Sequence, residues 1–332
     1  MAVGSSISMV GGGSWATALV KILNQNGHRV HWWLRDPHAV DHLRTKHHNP
    51  NYLSSVAFDP QLILPSEEIE NVFAAGDIIF LAVPAAYLKN VLKDFAARDF
   101  ENKLVVSAIK GMIPGDNLII AEYLKEYFSV SLTQTVIING PCHAEEVALE
   151  KLSYLTLACP DVENANQVCE LLRCSFLRCT ASDDIYGTEY GAVLKNIYAL
   201  CAGICHGLGY GDNFQAVLIS NAIEEMERFV KAVHPISRDI KDSAYLGDLM
   251  VTAYSQFSRN RTLGTMIGKG YTVKAALLEM NMVAEGYNAA RCIHEVNFNY
   301  QVDLPICRAV YNILYGESDV KEEIKTLTTL LS

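Results

Sequence analysis

The chain has 332 residues, half of them hydrophobic and 19% charged, with 27 basic against 37 acidic side chains and a net charge of -10. That length suggests two domains, and the composition excludes a disordered chain. The acidic balance argues against a nucleic-acid surface or a polybasic membrane anchor, and no apolar run reaches the roughly 18 residues of a membrane span. Nine cysteines without a C-x-x-C pair, and no leader-like N-terminus, point to a reducing, cytoplasmic setting rather than a disulfide framework.

An apolar strand-like run, Ile7–Val10, ends in Gly11-Gly12-Gly13, and a helix-compatible run follows. Gly11, Gly13 and Ala16 fit the G-x-G-x-x-G/A spacing. There the missing Cβ atoms let backbone N–H groups approach a pyrophosphate at a helix N-terminus. Ala18 to Asn26 reads as the first helix, and a second strand runs to about Leu34. A carboxylate at this strand end favours the ribose hydroxyls of NAD, whereas an arginine favours the 2′-phosphate of NADP. Arg35 and Asp36 stand side by side, so both cofactors stay open. Residues 41–60, with three histidines, two asparagines and two prolines, read as a long irregular connection.

Asp77–Pro84, Leu104–Ile109 and Thr135–Asn139 are apolar runs of the kind that forms buried parallel strands. The latter two lead into Lys110-Gly111 and Gly140-Pro141-Cys142-His143-Ala144, which places both strand ends in the site region of an open α/β sheet. Tyr154–Ala158 and Phe176–Thr180 read as two more strands, with a helix between them from about Val162 to Arg173. Beyond about Asp183 only helical patterns remain. The expected division is a dinucleotide-binding domain over 1–186 and a helical substrate domain over 187–332.

At helical spacing Gly187, Gly191 and Lys195 share one face, which the two glycines leave nearly bare, inside a run too apolar for a solvated helix. That setting marks Lys195, with Asn196 beside it, as functional. Asp248 follows Gly247 in another apolar stretch, where its alternative role is helix capping. Ser258-Arg259-Asn260-Arg261 concentrates donors suited to a phosphate monoester, a solvated charged turn being the competing reading. Cys201 and Cys205 read as buried apolar side chains, and no metal site is expected.

The ordered set Gly11–Ala18, Ala108–Gly111, Gly140-Pro141 with Ala144-Glu145, Leu194–Asn196, Gly247–Leu249, Ser258–Arg261 and Glu285-Gly286 resembles NAD(P)-dependent glycerol-3-phosphate dehydrogenase, over about residues 7 to 315. The resemblance is strongest to the bacterial enzymes of phospholipid synthesis. It implies a Rossmann-like doubly wound sheet followed by an all-helical domain of the 6-phosphogluconate dehydrogenase-like kind. It also implies NAD(P)H-dependent, reversible reduction of dihydroxyacetone phosphate to sn-glycerol 3-phosphate, and a homodimer as in relatives.

By the same resemblance Gly11, Gly13, Ser14, Trp15 and Arg35 contact the dinucleotide. Lys110 reaches both cofactor and substrate, and Gly140 and Ala144 line the nicotinamide side. Lys195 is the catalytic acid/base with Asp248 near it. Ser258, Arg259 and Asn260 bind substrate, Arg259 also touching cofactor, and Val283 and Glu285 close over the dinucleotide. Cys142-His143 departs from the commoner Ser/Thr-aromatic pair. An unperturbed lysine near 10.4 is charged at neutrality, so ketone reduction is expected near neutral pH and alcohol oxidation at higher pH. Two rivals remain: a β-hydroxyacid dehydrogenase or ketopantoate reductase of similar build, and a module that senses NAD(P) without turnover.

Overall fold

The computed structural model describes residues 6–280 and 282–332. The chain forms two compact units, Met1–Ile109 with Ile120–Ile185, and Lys110–Ile119 with Tyr186–Ser332. Each is built around its own core.

The first unit holds eight strands: β1 (Ile7–Val10), β2 (Val30–Trp33), β3 (Ile63–Ser66), β4 (Ile78–Leu81), β5 (Leu104–Ser107), β6 (Thr135–Asn139), β7 (Ser153–Ala158) and β8 (Leu177–Ser182). They lie in the order β3-β2-β1-β4-β5-β6-β7-β8, parallel except where β7 runs against β6. The helices of this unit are α1 (Ser14–Gln25), α2 (Pro37–Lys46), α3 (Ile69–Ala75), α4 (Ala85–Val91), α5 (Ile120–Phe128), α6 (Ala144–Ala148) and α7 (Val162–Leu172). β1 and β4 are buried throughout, which explains why they read as unbroken apolar runs rather than alternating ones. This is the doubly wound α/β class expected.

Three local expectations are corrected. The first helix starts at Ser14, not Ala18, because Gly13 in extended conformation serves as its N-cap. Residues 41–46 are not irregular but complete α2, which Asp36 caps by accepting the His38 N–H at 3.0 Å, with Pro37 at the first helical position. Strand β3 went unread because it is a short edge strand containing Pro65, and proline is tolerated in a sheet at such an edge.

The second unit is helical: α8 (Ile185–Gly207), α9 (Asp212–Val233), a π-helical turn over Ser243–Gly247, α10 (Asp248–Tyr254), α11 (Arg259–Gly268), α12 (Val273–Glu279), α13 (Glu285–Tyr300), α14 (Pro305–Tyr315) and α15 (Val320–Thr328). Its core includes Leu194, Ile197, Tyr198, Cys201, Met226, Phe229, Ile293 and Val310. Among the described residues no helix is long and apolar enough to cross a membrane.

The units divide after Ile185, against the expected 186, and they differ more at Lys110–Ile119. Met112 and Ile119 are packed into the helical core, and the Asn117 amide donates to Glu295 at 2.6 Å. The loop after β5 therefore belongs to the helical unit, and it carries Lys110 with it.

Candidate active site

In the helical unit three ionisable side chains converge. Lys195 on α8 ion-pairs with Asp248 Oδ2, and Lys110 Nζ lies 3.8 Å from the same oxygen. Lys195 and Asp248 are 3% and 1% exposed, so the pair has left bulk water behind. Burial pushes the Lys195 ammonium down to about 7. Asp248 opposes that shift and Lys110 adds to it by like-charge repulsion. The unperturbed value expected from sequence is corrected accordingly: this lysine is poised between its two forms at neutrality. Asp248 is the first residue of α10, yet its carboxylate faces Lys195 rather than capping a helix.

A relay of carboxamides fixes the surroundings. The Gly286 N–H donates to Asn260 Oδ1 at 2.9 Å. The Asn260 Nδ2 donates to Asn196 Oδ1 at 2.8 Å, and the Asn196 Nδ2 donates to the Lys110 carbonyl at 2.8 Å. The N-terminal end of α13, α11, α8 and the Lys110 segment are thereby tied at one point. A Cβ on Gly286 would sit 2.6 Å from the Asn196 carbonyl oxygen, so only glycine permits this approach. Much of the Asn260 side chain, expected to bind substrate, is thus spent on positioning.

Residues without side chains set the crossing of α8 and α11. A Cβ on Gly203 would lie 2.1 Å from the Arg261 carbonyl oxygen, and one on Gly264 would lie 2.0 Å from that of Leu200. Gly207 and Gly268 continue the contact one turn on. Backbone meets backbone here, and the N-terminal end of α11 is delivered to Asn196. Ser258 caps α11 by accepting the Arg261 N–H at 3.3 Å, and Arg259 Nη1 donates to the Val283 carbonyl at 3.3 Å. Glu285 occupies the first turn of α13, next to Gly286. The sequence reading missed the four crossing glycines, whose G-x-x-x-G spacing in two segments was the available signal. The expected bare glycine face beside Lys195 is corrected at Gly191: a Cβ there would meet the Tyr245 ring at 3.2 Å, so the unit's own side chains cover that position.

In the sheet unit the other expected residues gather along the carboxyl ends of parallel strands. The loop Gly11–Gly13 follows β1, and Arg35 follows β2, whose Trp33 is in register with Val10. Gly140 and Ala144 follow β6, three strands from β1. Gly11 has φ +131°, and a Cβ there would lie 2.4 Å from the Ala82 carbonyl oxygen, whereas Gly13 faces open space. Helix α1 has no acidic residue in its first turn and no side chain capping its N-terminus, so its positive end is open to an anion. These features fit a dinucleotide pyrophosphate. Arg35 is exposed, and one Asp36 oxygen is engaged in capping α2. The Cys142 thiol donates to the Tyr154 carbonyl at 3.1 Å. Ser14 and Trp15 open α1 directly behind the loop.

A mostly parallel sheet with a glycine loop after its first strand, joined to a helical unit with a buried lysine–carboxylate pair, defines a two-domain nicotinamide-dependent dehydrogenase. Sequence comparison narrows the class. Residues 6–165 match the N-terminal region of NAD-dependent glycerol-3-phosphate dehydrogenase, and residues 184–325 match its C-terminal region. Glycerol-3-phosphate dehydrogenase [NAD(P)+] of Enterococcus faecalis is 33% identical over 327 residues, covering 97% of this chain and 94% of the relative. The Bacillus cereus enzyme of the same name is 35% identical over 324 residues, covering 97% and 95%. The crystal structure of glycerol-3-phosphate dehydrogenase from Coxiella burnetii superposes with a TM-score of 0.90 at 25% identity, over 98% of this chain and 99% of that one. The chain belongs to the NAD-dependent glycerol-3-phosphate dehydrogenase family, and so to the oxidoreductases.

Proposed function

We propose that this enzyme reduces the ketone of dihydroxyacetone phosphate to sn-glycerol 3-phosphate with NADPH or NADH, reversibly, and so feeds glycerophospholipid synthesis. The observation that carries the reading is the convergence of Lys195, Lys110 and Asp248. By the family resemblance Gly11, Gly13, Ser14, Trp15, Arg35, Lys110, Gly140, Ala144, Arg259, Val283 and Glu285 would hold the dinucleotide. When bound, the reduced nicotinamide supplies hydride to the carbonyl carbon.

The protein supplies the rest. Negative charge that develops on the carbonyl oxygen needs a cation and then a proton. The Lys195 ammonium donates that proton, Asp248 keeps the ammonium in place, and Lys110 adds a second positive charge. In the reverse direction neutral Lys195 takes the alcohol proton, which its lowered pKa makes available near neutrality. Arg259 holds the phosphate by charge-assisted hydrogen bonds, with the Ser258 hydroxyl and the remaining Asn260 amide N–H alongside. Binding at that end orients C2. With Arg35 exposed and Asp36 engaged as a cap, NADPH is the preferred donor.

A homodimer belongs to the same reading, supported by the exposed apolar side chains Met250, Tyr254 and Phe257 of the helical unit, and sedimentation tests it. Among the described residues no cysteine is disulfide-bonded, which supports a cytoplasmic, reducing location.

The decisive experiment follows NADPH and NADH absorbance with dihydroxyacetone phosphate, with unphosphorylated dihydroxyacetone as control. Turnover of the phosphorylated ketone alone, faster with NADPH, is the expected result. Cofactor binding without turnover would discard the substrate.

A further inference from the structure

We infer that Asn49 is a positioning residue for the dinucleotide, because it turns the glycine loop so that its N–H groups face the ligand. The inference rests on the dinucleotide reading of that loop. Asn49 lies in the stretch after α2 that looked irregular in sequence, and it is completely buried. Its Nδ2 donates to the Gly12 carbonyl at 3.0 Å and to Thr17 Oγ1 at 2.9 Å. Both amide protons are thereby used, and its Oδ1 accepts the Asn51 N–H at 3.0 Å.

The neighbours extend the same pattern. The Thr17 hydroxyl donates to the Gly13 carbonyl at 2.9 Å, and the Trp32 indole donates to the Gly11 carbonyl at 2.7 Å. All three carbonyls of the loop are therefore held by donors of the sheet unit. The described peptide bonds are all trans, and a planar trans unit points its C=O and its N–H in opposite directions. Tying back the Gly12 and Gly13 carbonyls thus directs the N–H groups of Gly13 and Ser14 away from Asn49 and Thr17. Those two donors belong to the open N-terminal end of α1, the end suited to a pyrophosphate.

Asn49 is itself held in place. His47 ends α2 in the left-handed region at φ +62°, which bends the chain back. His48 then contacts His42 of α2, Nε2 to Nε2 at 3.1 Å. A glycine-rich loop pays a large entropy to keep one conformation. A buried side chain that satisfies one loop carbonyl directly, and another through Thr17, removes that freedom before the ligand arrives, which is preorganisation.

The test measures NADPH affinity by fluorescence titration of the full chain, together with steady-state kinetics, for wild type, Asn49→Ala, Asn49→Asp and Thr17→Val. Asn49→Asp keeps the shape but replaces donors with acceptors, and Asn49→Ala separates that loss from added charge. Both Asn49 variants should raise the Kd and KM for NADPH about tenfold or more, with a much smaller fall in kcat and an unchanged KM for the ketone. Combining Thr17→Val with Asn49→Ala should cost less than the product of the single effects, because both break one clamp. If the Asn49 variants fail to fold, Thr17→Val alone should still raise the NADPH Kd severalfold. NADPH affinity within twofold of wild type, or a ketone KM rising in parallel with that for cofactor, overturns the inference. Wild type that binds neither NADPH nor NADH overturns the dinucleotide reading itself, a separate failure.

Discussion

Lys195 and Asp248 form a buried ion pair in the helical unit, with Lys110 the only other described cation paired with that carboxylate. Buried charge pairs seldom add stability, since desolvation offsets their attraction. The cost is understandable if the pair serves chemistry. Burial holds Lys195 at about 7, so its ammonium and amine are both populated at neutral pH.

The pH profile follows from that value. Ketone reduction needs the ammonium, so kcat should hold below pH 7 and fall as pH rises through about 7. Alcohol oxidation needs the amine and should rise over the same interval. Asp248→Asn removes the charge that favours the ammonium, so the reductive limb should move to lower pH by about one unit or more. Rate profiles in both directions, for wild type and variant, check this. Rates that rise together or fall together with pH in the two directions would count against Lys195 as the proton donor.

Arg259→Ala should raise the KM for dihydroxyacetone phosphate. A hydrogen bond to a charged group is worth about 1.5–3 kcal/mol, which corresponds to roughly 10- to 100-fold. Because the phosphate is the group Arg259 holds, the KM for dihydroxyacetone phosphate should rise more than that for NADPH. A rise confined to the KM for NADPH would place Arg259 on the cofactor alone.

Gly264→Ala probes the helix crossing. Its Cβ would meet the Leu200 carbonyl oxygen at 2.0 Å, backbone that cannot yield without moving a helix. Overpacking of this kind costs about 1–3 kcal/mol or more, and Tm should drop by roughly 5–10 °C. Because Asn260 rides on α11, turnover should fall further than the loss of folded protein accounts for. Thermal melts beside active-site titration separate the two effects.

Glu225 on α9 tests a structural role of buried charge. It is completely buried, and its two carboxylate oxygens accept the N–H groups of Ile306 and Cys307 at 2.8 and 3.0 Å, capping α14. Burial pushes its pKa up to about 7, against those hydrogen bonds. The folded state therefore holds this proton more tightly than the unfolded chain. The stability it contributes is fully present below about 4.3 and is lost as pH rises through about 7. Tm should fall between pH 5 and 7.5 in wild type and change less in Glu225→Gln. An identical slope in both would exclude Glu225 as its source.

Much of the site was legible because its signals are local. Three glycines between a strand and a helix, a lysine in an apolar run, and the Ser258–Arg261 cluster each announce themselves within a few residues. What eluded the sequence involves partners far apart in the chain. The edge strand β3 is short and carries Pro65, and Asn49 sits in a stretch with no periodic pattern.

By itself the sequence determined the alternation of buried strands and helices, the glycine loop after β1, the change to an all-helical second half, and the residue types able to move a proton and hold a phosphate. Those follow from hydrophobic period and from backbone freedom, which are properties of neighbours along the chain. Only the tertiary structure decided that Lys110 joins the helical unit, that Asn196 and Asn260 position the site, and that Lys195 titrates near neutrality. Each of these depends on which distant groups meet and on how much water they exclude, and burial and pairing exist only once the chain has folded.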